Sequence, residues 1–231
     1  MLLPASAPPI AGLEIAFSTK PANTVAGDYY DVFPRTAEGK QRYVFAMADV
    51  AGKSIPAALL MATIQASLKT LAASPDSLPE LVGRMNQYAC SNSQNGRRFT
   101  TAFLAEYDPQ SRTLTYVNAG HNPPILRRQS GALERLEAGG IPLGILESTN
   151  YEAGSTVLQS GDWLVVFTDG VVEAENNRGE EYGEQRLLFI VHTCWQLSPN
   201  QLLQGLTDDL DRFVAGAPQH DDVTCMLVKV T

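Results

Sequence analysis

The chain has 231 residues, 44% of them hydrophobic, which predicts a compact fold with a substantial buried core. Its net charge of -8 and its scattered basic residues argue against a nucleic-acid-binding surface. The three cysteines show no Cys-x-x-Cys spacing, which argues against a disulfide framework or a zinc knuckle and favours a cytoplasmic protein.

The first nine residues are rich in Pro, Ala and Ser, a composition typical of a linker or a flexible terminus. We therefore expect residues 1–9 to be a linker or flexible N-terminus and residues 10–231 to form one domain. The same composition would suit a junction with a preceding domain. No stretch is apolar over the length that a membrane-spanning segment needs, so no membrane segment is expected in this chain.

Three strands are predicted before the first helix. Residues 13–18 and 28–33 tend to alternate apolar and polar side chains, and we expect them to pair as a hairpin, with the first at a sheet edge. Residues 43–48 are apolar at both parities, which is typical of a buried strand, and this strand ends at Asp49. The three strands would form an antiparallel meander at the start of the domain.

Four helices are predicted from apolar side chains at helical spacing. They cover residues 55–71, 78–89, 187–195 and 202–213. Ser54 and Pro56 suit the start of the first helix, and Ser77 with Glu80 forms the pattern of a capping box before the second. We expect the first two helices to pack as an antiparallel pair.

The remaining segments alternate between short strands and glycine-bearing loops. Strands are predicted over residues 99–107, 113–117, 125–127, 133–136, 156–158, 163–167 and 223–230. Groups of antiparallel strands interrupted by helix pairs indicate the α+β class rather than a repeating βαβ fold.

Acidic residues stand where predicted strands meet glycine turns or loops. They are Asp28, Asp49, Asp169, Asp221 and Asp222. Each could simply cap a turn, or the five could converge on one site. A group of carboxylates repels itself unless cations neutralise it, and all-oxygen ligation favours Mg²⁺ or Mn²⁺ over Zn²⁺. Two such ions could activate water for in-line attack on phosphorus. Spacing alone leaves the metal site and unrelated loop carboxylates equally open.

Five motifs narrow this choice. In chain order they are VAGDYYD at 25–31, MADVAGK at 47–53, NAGHNPP at 118–124, FTDGV at 167–171 and DDVT at 221–224. Together they resemble the metal-dependent PPM (PP2C-like) serine/threonine phosphatases, and most closely the bacterial SpoIIE/RsbU branch. The resemblance covers the chain from about residue 9 to its end. Any one motif would be weak evidence, whereas the ordered set is specific.

The resemblance implies a four-layer α-β-β-α sandwich of two mainly antiparallel sheets flanked by helix pairs. It also implies a centre of two or more Mn²⁺ or Mg²⁺ ions at one edge of the sheets. In this set Asp49 would bridge two ions, and the carbonyl of Val50 would bind one of them. The other ligands would be Asp28, Asp169 and Asp221. Asp222 would be a further ligand, a strand cap or a contact to a metal-bound water.

The implied activity is hydrolysis of phosphoserine or phosphothreonine by a hydroxide held between the ions, with Asp49 and Asp169 most directly involved. The implied substrate is a phosphorylated anti-sigma-factor antagonist of the STAS type, and such domains often follow a sensor domain. The competing hypothesis is a catalytically silent module that binds or scaffolds a phosphoprotein. Retention of every expected aspartate favours the enzyme.

Two departures from the eukaryotic branch leave roles unassigned. Lys53 stands where that branch carries a histidine thought to act as general acid, and no phosphate-binding arginine is found near Asp28. Among the histidines, His121 is interpreted as a structural residue of the turn at 118–124. His220 is interpreted either as a partner of the Asp221 site or as an exposed loop residue.

Other side chains are given structural interpretations. Cys90 has no arginine six residues later, which argues against the phosphate loop of a cysteine phosphatase. Four glutamates follow Asp169 and are expected to form a solvated loop near the site. They are Glu173, Glu175, Glu180 and Glu181.

Overall fold

Two β-sheets and five helices make up the fold in a computed structural model that describes residues 3–37, 39–52, 55–93 and 98–231. In chain order the strands are β1 (Leu13–Lys20), β2 (Tyr29–Ala37), β3 (Lys40–Val50), β4 (Thr100–Asp108), β5 (Thr113–Ala119), β6 (Ile125–Arg127), β7 (Leu133–Arg135), β8 (Gly139–Gly140), β9 (Gly154–Val157), β10 (Trp163–Phe167) and β11 (Val223–Val230). The helices are α1 (Ile55–Leu71), α2 (Leu78–Asn92), α3 (Asp169–Val172), α4 (Glu184–Cys194) and α5 (Pro199–Val214).

The two sheets are mainly antiparallel, as predicted. The five-stranded sheet has the order β1-β11-β10-β6-β7, and every neighbouring pair in it is antiparallel. The six-stranded sheet has the order β2-β3-β4-β5-β8, with β9 also paired to β5. Its β5–β8 pair is parallel. The short strand β8 and the short helix α3 were not expected from the sequence.

The first strand pairing differs from the predicted hairpin. β1 pairs with β11, from Leu13 opposite Val230 to Lys20 opposite Val223, whereas β2 pairs with β3. The prediction was wrong because alternation of apolar and polar residues identifies a strand with one buried face but not its partner. The meander starts one strand later and runs through β2, β3, β4 and β5. β1 does lie at a sheet edge, as predicted.

Three groups of buried side chains define four layers. Between the sheets, Phe45, Met47 and Phe103 of the six-stranded sheet share one core with Val166 and Met226 of the five-stranded sheet. Helices α1 and α2 cover the other face of the six-stranded sheet, and α4 and α5 cover that of the five-stranded sheet. The expected α-β-β-α sandwich is therefore confirmed. Truncating a buried aromatic such as Phe103 to Ala would cost about 3–5 kcal/mol.

The helix starts follow their capping residues. The backbone amide and the hydroxyl of Ser77 both donate to the Glu80 carboxylate, at 2.8 and 2.7 Å, so the predicted capping box of α2 is confirmed. Ser198 and Gln201 form the same arrangement at the start of α5, where Pro199 occupies the first turn. Helices α1 and α2 pack against each other. Ser54, expected before α1, lies outside the described residues.

A buried arginine ties the end of α1 to the six-stranded sheet. Arg35 of β2 donates to the carboxylate of Glu106 in β4 and to the carbonyls of Ala72 and Ser74, which follow α1. These hydrogen-bond partners are all acceptors, so burial of the guanidinium charge is largely compensated. The C-terminal end of α1 is thereby fixed on the sheet.

Residues 3–9 contain no helix or strand, but they contact the domain. Leu3 packs against two of the buried groups, and the hydroxyl of Tyr30 donates to the Pro4 carbonyl at 3.3 Å. The division into residues 1–9 and 10–231 stays a prediction. None of the described helices combines the length and hydrophobicity that would let it cross a membrane.

Candidate metal centre

The core between the sheets gives way to polar side chains at one end of the sandwich. Met47 in β3 and Phe103 in β4 belong to that core. Because side chains alternate along a strand, Asp49 and Thr101, each two residues nearer this end, point in the same direction. The same step of two residues leads from Tyr30 to Asp28, from Val166 to Thr168 and from Met226 to Thr224. Both sheets therefore contribute polar groups to one layer.

Asp28 lies just before β2 and is only 1% exposed. Its Oδ2 accepts a hydrogen bond of 2.9 Å from the hydroxyl of Thr168. Thr168 directly follows β10 of the other, five-stranded sheet. Burial, followed by the negative charge of Asp49, raises the pKa of Asp28 to about 9. Without a cation nearby, this carboxyl group would keep its proton at neutral pH.

Asp49 is the most connected member of the group. Burial, followed by the negative charges of Asp169, Asp221 and Asp222, raises its pKa to about 7. A hydrogen bond with Asp28 acts in the opposite direction. The structure thus brings the other four predicted aspartates within electrostatic reach of Asp49, although the five come from four separate segments of the chain.

Strand β3 is longer than predicted, and this decides how Asp49 is held. It runs to Val50, so Asp49 lies within the ladder, directly opposite Thr101 of β4, rather than beyond the strand's end. The carbonyl oxygen of Val50 faces the segment before Asp28, since a Cβ added to Gly27 would lie 3.4 Å from it. Val50 itself is buried. Its predicted ligand atom therefore lies beside Gly27, the residue that precedes the predicted ligand Asp28.

Asp169 is held differently, at the start of the short helix α3. The Gly170 amide donates to its Oδ1 at 2.8 Å. The backbone of Gly170 lies against the Asp222 carbonyl oxygen, which a Cβ at this position would overlap. The neighbouring Thr168 accepts from the Thr224 amide through its hydroxyl, at 3.1 Å. The end of β10 is therefore packed onto the start of β11.

Asp222 anchors the segment that leads to Asp28. Its two carboxylate oxygens accept hydrogen bonds from the amides of Ala22 and Gly27, at 2.7 and 2.6 Å. Asp222 is 8% exposed, and its own amide donates to Asp221 Oδ1 at 2.9 Å. A carboxylate that accepts two backbone amides is well placed to fix a loop. The connection from β1 to β2 is thus tied to the start of β11.

The donor chemistry of this centre fits a divalent cation. Within residues 3–37, 39–52, 55–93 and 98–231, no group of three or more His, Cys, Asp or Glu side chains is already arranged to hold a metal ion. The argument for a cation rests on the charges instead. Besides burial, the groups that raise the pKa of Asp49 are all carboxylates. A hard cation with oxygen ligands would relieve this repulsion and satisfy the buried oxygens.

The remaining candidates separate into buried and exposed groups. His121 is 4% exposed, with Nδ1 2.9 Å from the hydroxyl of Thr101. Its backbone amide donates to Asn118 Oδ1, and the Asn118 side-chain amide donates to its carbonyl, so the predicted structural role in the turn is present. His220 is exposed, and the four glutamates after Asp169 are exposed as well. Lys53 lies outside the described part of the chain.

Sequence reasoning missed the hydroxyls of this layer. Thr168 bonds Asp28, and Thr101 bonds His121, yet neither threonine stands out by residue type. Both could have been found by counting two residues along the strand from a core position. The pairing partners of the strands, however, were needed to know that these positions meet.

Comparisons with known proteins agree with this fold. Residues 39–231 match the protein family described as Stage II sporulation protein E (SpoIIE). The chain is 30% identical over 230 residues to phosphoserine phosphatase RsbU of Bacillus subtilis (strain 168), an alignment that covers 99% of this chain and 66% of RsbU. It is 26% identical over 254 residues to protein IcfG of Synechocystis, where it covers 98% of this chain and 39% of the relative.

Solved structures are similar in fold over nearly the whole chain. The SiaA-PP2C domain of Pseudomonas aeruginosa matches with a TM-score of 0.82 and 19% identity, over 94% of this chain and 86% of that one. The two packed, mainly antiparallel sheets between helix layers are therefore the fold of a PP2C-type domain. Within that class, the chain belongs to the SpoIIE family. It spans about two thirds of RsbU and less than half of IcfG.

Proposed function

We propose that this chain is a metal-dependent phosphoprotein phosphatase that hydrolyses phosphoserine or phosphothreonine at the aspartate cluster. The environment of Asp49 is the observation that carries the proposal. Its side chain is half-buried, and the described charges that raise its pKa are those of other aspartates. Such a centre suits divalent cations. Membership of the SpoIIE family and similarity to RsbU, a phosphoserine phosphatase, support the same reaction.

In this proposal the centre holds two or more Mn²⁺ or Mg²⁺ ions. The ligands would be the carboxylates of Asp28, Asp49, Asp169 and Asp221 with the carbonyl of Val50. Bound ions supply an activated water and stabilise negative charge on the phosphoryl oxygens. Asp222 was predicted to be a further ligand, a strand cap or a contact to a metal-bound water. Its two backbone hydrogen bonds favour a different role, that of an anchor for the loop that leads to Asp28.

In this proposal the two sheets each contribute ligands to the centre. Asp49 belongs to the six-stranded sheet, and Asp169 lies two residues after the end of β10 in the five-stranded sheet. The Thr168 hydroxyl holds Asp28 from the opposite side of the layer. Substrate phosphate would meet this layer from the open end of the sandwich, where Asp49 and Asp169 are only half-buried.

The direct test is phosphate release from a phosphoserine peptide and from a small aryl phosphate. We expect hydrolysis in Mn²⁺ or Mg²⁺, none in a chelator, and none for Asp49→Asn. The matched control is Asp208→Asn, which removes a carboxylate from the exposed face of α5 and should leave activity intact. Activity that persists in a chelator would refute the metal mechanism. A folded protein that is inert under all metal conditions but binds the phosphopeptide would support the silent module instead.

The finer proposal concerns the substrate. The motif resemblance to the SpoIIE/RsbU branch favours a phosphorylated STAS-type anti-sigma-factor antagonist, acting in a signalling pathway in which this domain follows a sensor. Rates on a phosphorylated STAS domain should exceed those on its phosphopeptide alone, because a folded partner can contact the surface around the cluster. Equal rates on the domain, the peptide and an unrelated phosphoprotein would contradict this preference.

A further inference from the structure

His121 is a buried titratable side chain for which the proposed reaction has no use. It is 4% exposed, which prevents contact with a substrate, and its buried Nε2 has no well-formed hydrogen bond among the described residues. Its Nδ1 lies 2.9 Å from the hydroxyl of Thr101. Burying an imidazole with one unsatisfied nitrogen is unfavourable, so the position of this ring requires an explanation.

One side of the ring reaches the six-stranded sheet beside Asp49. Thr101 in β4 lies directly opposite Asp49 in β3. Directly opposed residues of an antiparallel pair carry their side chains on the same face, with Cβ atoms about 4.5–5.5 Å apart. The hydroxyl that meets His121 therefore belongs to the cross-strand neighbour of Asp49.

The other side of the ring reaches the five-stranded sheet. Burial lowers the pKa of His121 to about 4, and the backbone carbonyl of Phe167 is the one group that acts in the opposite direction. Phe167 is the last residue of β10, two residues before Asp169. The ring is consequently neutral near pH 7. The backbone geometry agrees, because His121 lies on the connection from Ala119, the last residue of β5 in the six-stranded sheet, to β6, which pairs with β10 in the five-stranded sheet.

The turn that carries His121 leaves the ring little freedom. Asn118 bonds both the amide and the carbonyl of His121, at 2.7 and 3.0 Å. The preceding Gly120 has a φ of 67°, and its Cα packs so closely on Pro142 that a Cβ would overlap the proline ring. Backbone bonds and close packing thus fix the direction in which the ring points.

We propose that His121 is a positioning residue that braces the two sheets and so sets the spacing between Asp49 and Asp169. The inference rests on the proposed function, because that spacing matters only if the two carboxylates share a metal centre. The brace acts through Thr101 on the Asp49 side and through the end of β10 on the Asp169 side. Residues that orient ligands from behind commonly affect metal affinity.

The test measures Mn²⁺ affinity by calorimetry, together with kcat and KM on an aryl phosphate. His121→Ala and Thr101→Val should each weaken Mn²⁺ binding by about tenfold. Thr101→Ser, which restores the hydroxyl, should recover most of that loss. The double variant should bind Mn²⁺ little less tightly than the more impaired of the two single variants, because both changes break the same contact. His121→Asn offers a second, smaller change if His121→Ala does not fold.

The matched control is Val191→Ala, which removes buried volume from α4. It should lose stability without losing Mn²⁺ affinity. Unchanged Mn²⁺ affinity in the His121 and Thr101 variants, or losses that simply add, would overturn the brace. A wild-type chain that binds no Mn²⁺ would instead overturn the proposed function itself, so the two failures are distinguishable.

Discussion

Two strand ends in this protein carry the same sequence pattern but are built differently. In both, a buried apolar strand is followed by an aspartate and then a glycine. At the end of β3, Asp49 stays in the ladder opposite Thr101, and Gly52 follows with a φ of 115° and no atom near the place of a Cβ. At the end of β10 the ladder stops at Phe167, and Asp169 opens helix α3.

The difference shows what holds each carboxylate. Asp49 is positioned by inter-strand hydrogen bonds, which are insensitive to the loop beyond it. Asp169 is positioned by contact between Gly170 and the Asp222 carbonyl, where one added methyl group would not fit. One end therefore depends on the sheet, and the other depends on close packing against β11. Substitutions should tell these two dependences apart.

The largest expected effect is on activity. Asp49→Asn and Asp169→Asn should each reduce metal-dependent phosphatase activity by more than about 100-fold, beyond the range expected for outer residues of a metal site. Steady-state hydrolysis of an aryl phosphate over a range of Mn²⁺ concentrations measures this. Asp208→Asn on α5 serves as the control that keeps its activity. A large loss at only one of the two strand ends would mean that they do not serve one centre.

The next effect separates the two glycines. Gly170→Ala should destabilise the protein by about 3 kcal/mol or more, because its methyl group would overlap backbone that cannot move aside. Gly52→Ala should cost about 1 kcal/mol, since it meets open space and only the backbone conformation is unfavourable. Urea unfolding of both variants gives the two values. Equal losses would show that Asp169 is not held by this packing.

The sequence was sufficient for part of this comparison. Motif order located both aspartates, and hydrophobic patterns located both strands, because side-chain periodicity is a local property. It could not show that β3 continues past Asp49, since ladder pairing depends on β4. It also misassigned the partner of β1, because alternation does not encode which edge a strand joins. Thr101, Thr168 and Asn118 gain their roles only from contacts between distant segments.

The ring that lies between the two strand ends should leave a signature in the pH dependence of stability. Burial holds the pKa of His121 near 4, whereas an unfolded chain protonates this histidine near 6.5. Below pH 6.5 the unfolded state therefore binds more protons, and the free energy of unfolding falls as the pH drops towards 4. The loss attributable to His121 should be at most about 3 kcal/mol, and none should arise above pH 6.5.

Comparison with His121→Asn isolates this contribution from that of the carboxylates. The free energy of unfolding should be measured with urea, in a chelator, between about pH 4.5 and 7.5. It should fall more steeply towards acid pH for the wild type than for the variant. Parallel pH profiles would mean that the imidazole is not buried in its neutral form between the strand ends.

The smallest expected effect is a gain in stability, whereas most substitutions destabilise a protein. In a chelator at neutral pH, Asp49→Asn should stabilise the protein by on the order of 1 kcal/mol, because it removes a charge that burial, Asp169, Asp221 and Asp222 all disfavour. The ladder at the end of β3 keeps the carboxylate in this unfavourable position, so the cost is not relieved by local movement. Adding Mn²⁺ should raise the melting temperature of the wild type and change that of the variant little. Thermal unfolding with and without Mn²⁺ measures both. A variant that is less stable than the wild type in a chelator would show that the carboxylate makes a favourable contact there, and that the ladder does not hold it against repulsion.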